Sequence, residues 1–207
     1  MKLNLVSKRS GFTLIEILIC IAILAMLSVV LLGVRSYITN KKLSSTAQNQ
    51  VAQLESCMNA YRADNSGILP DGTGDEASSN VMYTALYRDA DNDGQPDKED
   101  GVELPPYCTT FSIIKDTKSK EILDGIPVIK KQIRTKDGRK KRFVILDPWG
   151  NPYRYRLGFE QEDSKGKAGK GFNPDFDIFS LGGDALGDGK SKDGDNADNV
   201  TNIRSYK

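Results

Sequence analysis

The 207-residue chain contains no histidine. That absence removes the commonest general base, the Ser-His-Asp arrangement and most zinc sites together, and it counts against a hydrolase. Neither sign of charge dominates. With 29 Lys and Arg against 28 Asp and Glu, net charge points neither to a nucleic-acid binder nor to an acidic tail protein. Cysteine is scarce: Cys20 lies in an apolar run, while Cys57 and Cys108 lie outside it. The latter two are read either as a disulfide pair, given an oxidising compartment, or as two unrelated reduced thiols. A nucleotide-binding motif is also lacking. The length suits one modest domain plus an appendage.

What is present starts at residues 8–28, "KRSGFTLIEILICIAILAMLS". Phe12 to Gly33 is almost wholly aliphatic, as long as a helix needs to cross a bilayer core of about 20 apolar residues. Lys2, Lys8 and Arg9 precede it, which holds the N-terminus in the cytoplasm and puts the chain from Arg35 onward on the far side. The small-residue pattern of a cut secretory signal fits "AMLSVVLLG" poorly, and no small residues precede Cys20 for lipoprotein processing. The segment is therefore read as retained. Glu16 interrupts it, and a carboxylate in a membrane span is penalised unless it sits at an interface or finds a partner.

The junction "SGFTLIE" resembles the type IV prepilin family: a short basic leader, Gly11, Phe12, and Glu16 four residues further on. The resemblance implies cleavage by a prepilin peptidase between Gly11 and Phe12, then N-methylation of Phe12. It also implies that Glu16 neutralises the new N-terminal amine of a neighbouring subunit during filament assembly. Opposite charges attract strongly in low dielectric and each alone is penalised, so such a pair favours one docking register.

After Gly33 the pattern becomes one-sided. Leu43, Ala47, Val51, Leu54, Met58 and Tyr61 recur at three- and four-residue steps among polar residues, which predicts an amphipathic helix packed on a globular part. "ADNSGILPDGTGDE" ends it with Gly67, Pro70, Gly72 and Gly74. A helical stick with a greasy inner half and a head beyond it is expected.

Residues 89–100, "DADNDGQPDKED", place Asp89, Asp91, Asp93, Asp97 and Asp100 at positions 1, 3, 5, 9 and 12 of a calcium-loop pattern, with Gly94 at 6 and Gln95 at 7. The bland reading is a solvated acidic turn. Pro96, the Asp at position 12 and the want of a following helix depart from an EF-hand, and the loop looks more like those of thrombospondin-type or dockerin repeats. That makes it a stabilising clip. Further on, "YCTTFSII", "IPVIKKQIRT" and "RFVIL" read as strands, the last two around a "KDG" turn. Lys130, Lys131, Arg134, Lys136, Arg139, Lys140, Lys141 and Arg142 make that hairpin basic. It suits either an anionic partner such as DNA or, preferably, a solvated pair blunting a sheet edge.

"LDPWGNPYRYRL" at 146–157 and "DFDIFSLGGDALGD" at 175–188 resemble the major (G-type) pseudopilin of type II secretion systems, as does the helix exit "YRADNSGILP". Pro148, Gly150 and Pro152 make a rigid turn around Trp149, expected to anchor the sheet to the long helix. "YRYRL" and "FDIFSL" read as paired strands. By resemblance, the polar, glycine-rich residues 182–199 are ordered by calcium, held by the carbonyl of Leu181 and the side chains of Asp184, Asp195 and Asp198, with Asn196 or Asp193 as substitutes.

These readings give an α+β, type IV pilin-like lollipop: a long N-terminal helix on a small antiparallel β-sheet with a calcium-ordered C-terminal loop. Its parts are a leader (1–11), a transmembrane or filament-core helix (12–34), its amphipathic continuation (35–64), a globular insertion (65–144) and a C-terminal sheet with calcium loop (145–207). The resemblance implies a non-catalytic subunit of the periplasmic pseudopilus, anchored in the bacterial inner membrane before assembly and carrying one or two calcium ions. Implied partners are further copies of itself, minor pseudopilins, the prepilin peptidase, and the inner-membrane platform with its ATPase; nucleic acid is not expected. The rival reading is a type IV pilin or competence pseudopilin in a surface fibre for adhesion, motility or DNA uptake.

Overall fold

The apolar periodicity before residue 64 resolves as one helix, α1 (Leu14–Asp64). The computed structural model describes residues 13–114, 125–135, 138–183 and 200–202, the side chains of 29–37 excepted. The chain divides into two compact units, Met1–Lys42 and Leu43–Lys207.

In the first unit the described side chains of α1 are exposed on every side, Leu14, Ile17, Leu18, Ile21 and Leu24 among them, and from Leu14 to Leu27 they are apolar apart from Glu16. Among the described residues no helix is long and apolar enough to cross a membrane. The span expected over 12–34 includes Phe12 and side chains 29–34, which lie outside them, as does the whole leader.

In the second unit Ala47, Val51, Leu54 and Met58 are buried, at steps of four, three and four that keep one face of a 3.6-residue helix on the core. Tyr61 packs at the margin of the same cluster. The helix stops where Gly67, at φ +86°, turns its N–H back 2.9 Å onto the carbonyl of Arg62. Glycine takes that left-handed conformation without steric penalty.

A second helix, α2 (Ala77–Tyr87), opens the insertion; the sequence reading gave only loop and strand there. Its residues "ASSNVMYTALY" are weak helix formers, and packing carries it instead. Ser78, Ser79, Met82, Tyr83 and Leu86 are all buried. At its start the Asp75 carboxylate accepts the Ser78 N–H at 2.9 Å. At its end Arg88 turns left-handed at φ +57° and donates its N–H to Thr84 O.

Among the described residues the strands form three sheets. A two-stranded hairpin pairs β1 (Lys98–Glu99) with β2 (Val102–Glu103). The second sheet runs β3 (Phe111–Ile114), β4 (Ile126–Thr135), β5 (Gly138–Ile145), and the third β6 (Arg154–Leu157), β7 (Phe176–Ser180), β8 (Val200–Thr201). One small antiparallel sheet was expected, and two points correct that. The strands separate into distinct sheets, and β3 runs parallel to β4. The parallel register sets Phe111 beside Ile126 at the main core and Ile114 beside Ile129 at a smaller cluster with Ile133, Val144 and Leu146. The basic hairpin is β4–β5, antiparallel up to Thr135↔Gly138; Lys136 and Asp137 lie outside the described residues. All five residues of β7, the central strand of its sheet, are buried, so both of its faces are covered.

Two adjacent serines of α2 tie these sheets together. The Ser78 hydroxyl accepts the N–H of Tyr155 in β6 at 3.0 Å. The Ser79 hydroxyl accepts the N–H of Ile145 in β5 at 3.0 Å and donates to that residue's carbonyl at 3.2 Å. Both serines are at most 1% exposed, so water cannot replace either bond. The tie to α1 comes from Tyr153, fully buried, whose hydroxyl lies 2.9 Å from Gln50 Oε1. Trp149, expected in that role, is only partly buried at the edge of the core.

Ser79→Ala leaves both backbone groups of Ile145 without their side-chain partner. The expected cost is about 1–3 kcal/mol, read as a lowered urea midpoint with an unchanged m-value; an unchanged midpoint would show that the serine clip is dispensable.

Candidate functional site

The groups of residues singled out by the sequence are placed very differently by the structure. At the N-terminus the Glu16 carboxylate accepts the backbone N–H of Thr13 at 2.7 Å and the Thr13 hydroxyl at 2.9 Å. In return the Thr13 hydroxyl accepts the Glu16 N–H at 3.3 Å. Thr13 precedes the first residue of α1 and Glu16 is the third within it, so the pair is a reciprocal capping box. The carboxylate thus has a local partner, and its negative charge lies favourably at a helix N-terminus. Gly11 and Phe12, the expected cleavage and methylation positions, lie outside the described residues.

The acidic loop after α2 is built around Asp89. This carboxylate is fully buried and accepts the Tyr83 hydroxyl at 2.8 Å and the N–H groups of Asp93 and Gly94, each at 3.0 Å. Asp91 accepts the Asp93 N–H at 3.0 Å, Asp93 the Gln95 N–H at 2.7 Å, and Asp97 the Ala90 N–H at 3.0 Å. Carboxylate oxygens of Asp89, Asp91 and Asp93 lie within 4.8 Å of one another. Burial pushes Asp89 above the usual carboxylate range, and neighbouring Asp91 adds to this against the hydrogen bonds it accepts. Gly94, at φ +98°, passes so close to the Phe143 ring that a Cβ would stand 3.0 Å from it.

Asp100 is not part of that cluster. With Gly101 it forms the turn of the β1–β2 hairpin, at φ +52° and +83°, both left-handed as a type I′ turn requires. A residue the spacing did not single out, Asn92, fixes the loop to the body. Its Oδ1 accepts from Asn80 Nδ2 at 2.7 Å and from the Phe143 N–H at 3.4 Å, and its carbonyl accepts Lys130 Nζ at 2.7 Å. An Asn inside an acidic run signals only turn propensity.

In the C-terminal region Asp147, buried, accepts the N–H groups of Trp149 at 3.0 Å and Asn151 at 2.8 Å, shaping the Asp-Pro-Trp-Gly-Asn-Pro-Tyr turn. Asn151 Nδ2 donates to Gly182 O at 2.8 Å, which ties the turn to the end of β7. Leu181 is buried beside it. Asp184, Asp193, Asp195, Asn196 and Asp198 lie outside the described residues, so the ligand set proposed around Leu181 has no described geometry beyond that residue.

The basic hairpin is partly spoken for. Lys130 also lies 4.9 Å over the Phe143 ring, and Lys131 pairs with Glu76 at 3.2 Å. Arg134, Arg139 and Lys141 are exposed, with Arg134 directly opposite Arg139. Elsewhere, a crevice of about 290 Å³ is lined by Asp71, Arg156, Asp163, Lys165 and Lys167. Its carboxylates hold structure: Asp71 accepts the Ser164 N–H at 2.8 Å, and Asp163 the N–H groups of Lys165 and Lys167, each at 2.9 Å.

It is the N-terminal segment that connects the chain to known proteins. Residues 6–32 match the family model of the prokaryotic N-terminal methylation motif. That motif is typical of type IV pilins and pseudopilins, and it indicates a pilin-like N-terminal anchor and a prepilin-peptidase substrate. The match brackets Gly11, Phe12, Thr13 and Glu16 and covers a small part of the chain. Compared with curated proteins and with solved structures, the chain finds no match.

Proposed function

We propose that this chain is the major structural subunit of the periplasmic pseudopilus of a type II secretion system, with no catalytic role. The observation that carries the reading is the methylation motif at residues 6–32, with Phe12 and Glu16 inside it. The Asp147–Tyr153 turn, tied through Asn151 to the end of β7, supports the secretion branch over a surface pilus, since this is the segment that resembles the major pseudopilin. In this reading the precursor sits in the inner membrane with its N-terminus cytoplasmic. Cleavage after Gly11 then creates an ammonium on Phe12, and the exposed apolar side chains of α1 pack against other copies in a helical polymer. Growth of that polymer pushes folded proteins through the outer membrane, powered by a cytoplasmic ATPase at the platform and begun with minor pseudopilins.

Calcium belongs to this proposal. The donor set of Asp89, Asp91 and Asp93 suits a hard, oxygen-seeking cation, and the clustered charges repel one another without one. Asp97 and the carbonyl of Gln95 would complete the first loop, and Leu181 with Asp184, Asp195 and Asp198 would hold a second ion. Bound there, the metal supplies positive charge that lets the carboxylates stay ionised together.

A chromosomal deletion tests the function, with supernatant and periplasm quantified by mass spectrometry. Folded exoproteins leaving the supernatant and collecting in the periplasm support the pseudopilus. Normal secretion with failed motility, adhesion or DNA uptake would hand the case to a surface fibre. Glu16→Ala is expected to leave cleavage at Gly11 intact while abolishing filaments; abundant filaments from that variant overturn the charge-pairing account. For the metal, excess calcium should raise the Tm of the purified protein and a chelator should lower it. Asp91→Asn with Asp93→Asn should diminish that shift, and a Tm indifferent to calcium in the wild type removes the ion.

A further inference from the structure

The two cysteines beyond the apolar segment lie far apart in sequence and meet in the fold. Cys57 is on the core side of α1, one residue before Met58, and packs against the main cluster; Cys108 is 1% exposed within it. Cys57 thus packs against the same cluster in which Cys108 is buried, and each thiol is the strongest influence on the other's acidity. The segment that delivers Cys108 is fixed from two sides. The N–H groups of Tyr107 and Cys108 both reach the carbonyl of Leu86 in α2, at 2.9 and 3.2 Å. Tyr107 also meets α1 directly: its ring lies 5.4 Å from that of Tyr61, edge-on, and its hydroxyl accepts from Asn65 Nδ2 at 3.4 Å. Arg88 closes the arrangement, donating to the Tyr107 hydroxyl at 2.6 Å with its guanidinium 4.3 Å over the ring.

We propose that Cys57 and Cys108 are a redox pair that closes an intramolecular disulfide under oxidising conditions, stapling α1 to the segment that follows β2. The Tyr61–Tyr107 ring contact and the shared core cluster already hold α1 against the segment carrying Cys108, so bond formation does not require the two elements to be brought together. The chemistry of the pair agrees. Cys57 holds the Cys108 thiol down to about 7, while Cys57 itself is pushed up by Cys108 and by burial. A thiolate near neutral pH is the form that attacks a disulfide. The step balances with an external oxidant, an oxidised dithiol protein or a low-molecular-weight disulfide. One thiolate attacks it to give a mixed disulfide, and the second displaces it. An S–S bond forms, two protons and two electrons leave the pair, and the oxidant departs as thiols.

In vivo closure rests on the reading above that residues after the N-terminal anchor leave the cytoplasm. Under that reading the staple links the helix by which the subunit is held directly to its core.

The experiment has two arms. Purified full-length protein in detergent is equilibrated with reduced and oxidised glutathione, acid-quenched, and alkylated under denaturing conditions for peptide mass mapping. The expected result is a Cys57–Cys108 cross-linked peptide two hydrogens lighter than its parts, with Cys20 alkylated. Dithiothreitol should lower the Tm of the oxidised wild type and leave that of Cys57→Ser unmoved. Both cysteines remaining alkylated in oxidised glutathione, or cross-links joining separate chains, overturn the proposal. The second arm applies the same acid quench to intact cells. A closed bond there supports both the pair and its compartment. A pair that closes in glutathione yet is reduced in cells overturns the extracytoplasmic reading and leaves the redox pair standing.

Discussion

The second unit depends on covering the apolar stripe of α1. Ala47, Val51, Leu54 and Met58 are each no more than 3% exposed, and everything in this unit is arranged so that they can be. Burying a Val, Leu or Met side chain is worth about 1.5–3 kcal/mol, an upper figure because unfolded chains already bury part of their surface. By comparison, the ion pair between Arg62 and Asp175 at 2.6 Å joins the end of the helix to the loop before β7, but both partners are more than a third exposed. Pairs of that kind contribute about 0–1 kcal/mol. Apolar burial therefore decides where the helix docks, and the ion pair only trims its end.

Covering the stripe with two separate sheets creates a seam, and the seam is polar. Ser78 and Ser79 satisfy backbone groups of β6 and β5 from a single helix turn, which explains why two serines follow Ala77 in the first turn of α2. The same economy recurs at Asp177, fully buried, which accepts Arg156 Nε at 2.6 Å and the N–H groups of Phe172 at 2.8 Å and Asn173 at 2.9 Å. Asp89, Asn92 and Asp147 follow it. Each buried polar side chain does the capping work that a short, irregular chain segment cannot do for itself.

This economy sets the limit on what could be read from the sequence. Periodicity revealed α1 and the strands of the basic hairpin because a repeated apolar pattern is a property of the element alone. The β6–β7 strands were legible from their strand-forming composition although β7 is buried on both faces, and the stop at Gly67 because only backbone conformation was at issue. Helix α2 stayed hidden, since its propensity is weak and its partners, Ile145 and Tyr155, are more than sixty residues away. Asp100 fits a calcium-loop position by counting, and an Asp-Gly pair between short strands is also a strong turn former, which is the use the β1–β2 hairpin makes of it. Asn92 and Tyr83 carry the loop's attachment through contacts that no spacing rule encodes.

Glu16 shows how one residue can satisfy a local rule and still be available to a larger one. A threonine followed three residues later by glutamate at the head of an apolar run is a capping-box signature, and in the isolated chain the carboxylate is used that way. Both donors it accepts from are neutral. In the proposed filament, cleavage brings an ammonium from another copy within reach, and pairing two ionised groups adds a Coulombic attraction that neutral donors do not supply. Apolar surroundings widen that difference, because low dielectric strengthens attraction between opposite charges and leaves either charge alone poorly solvated. The capping box therefore keeps the acid satisfied in the monomer without committing it. Its two bonds to Thr13 come from neutral donors and can be exchanged when a neighbour's ammonium arrives, and the Thr13 N–H they release is one of the orphan donors that any helix N-terminus carries.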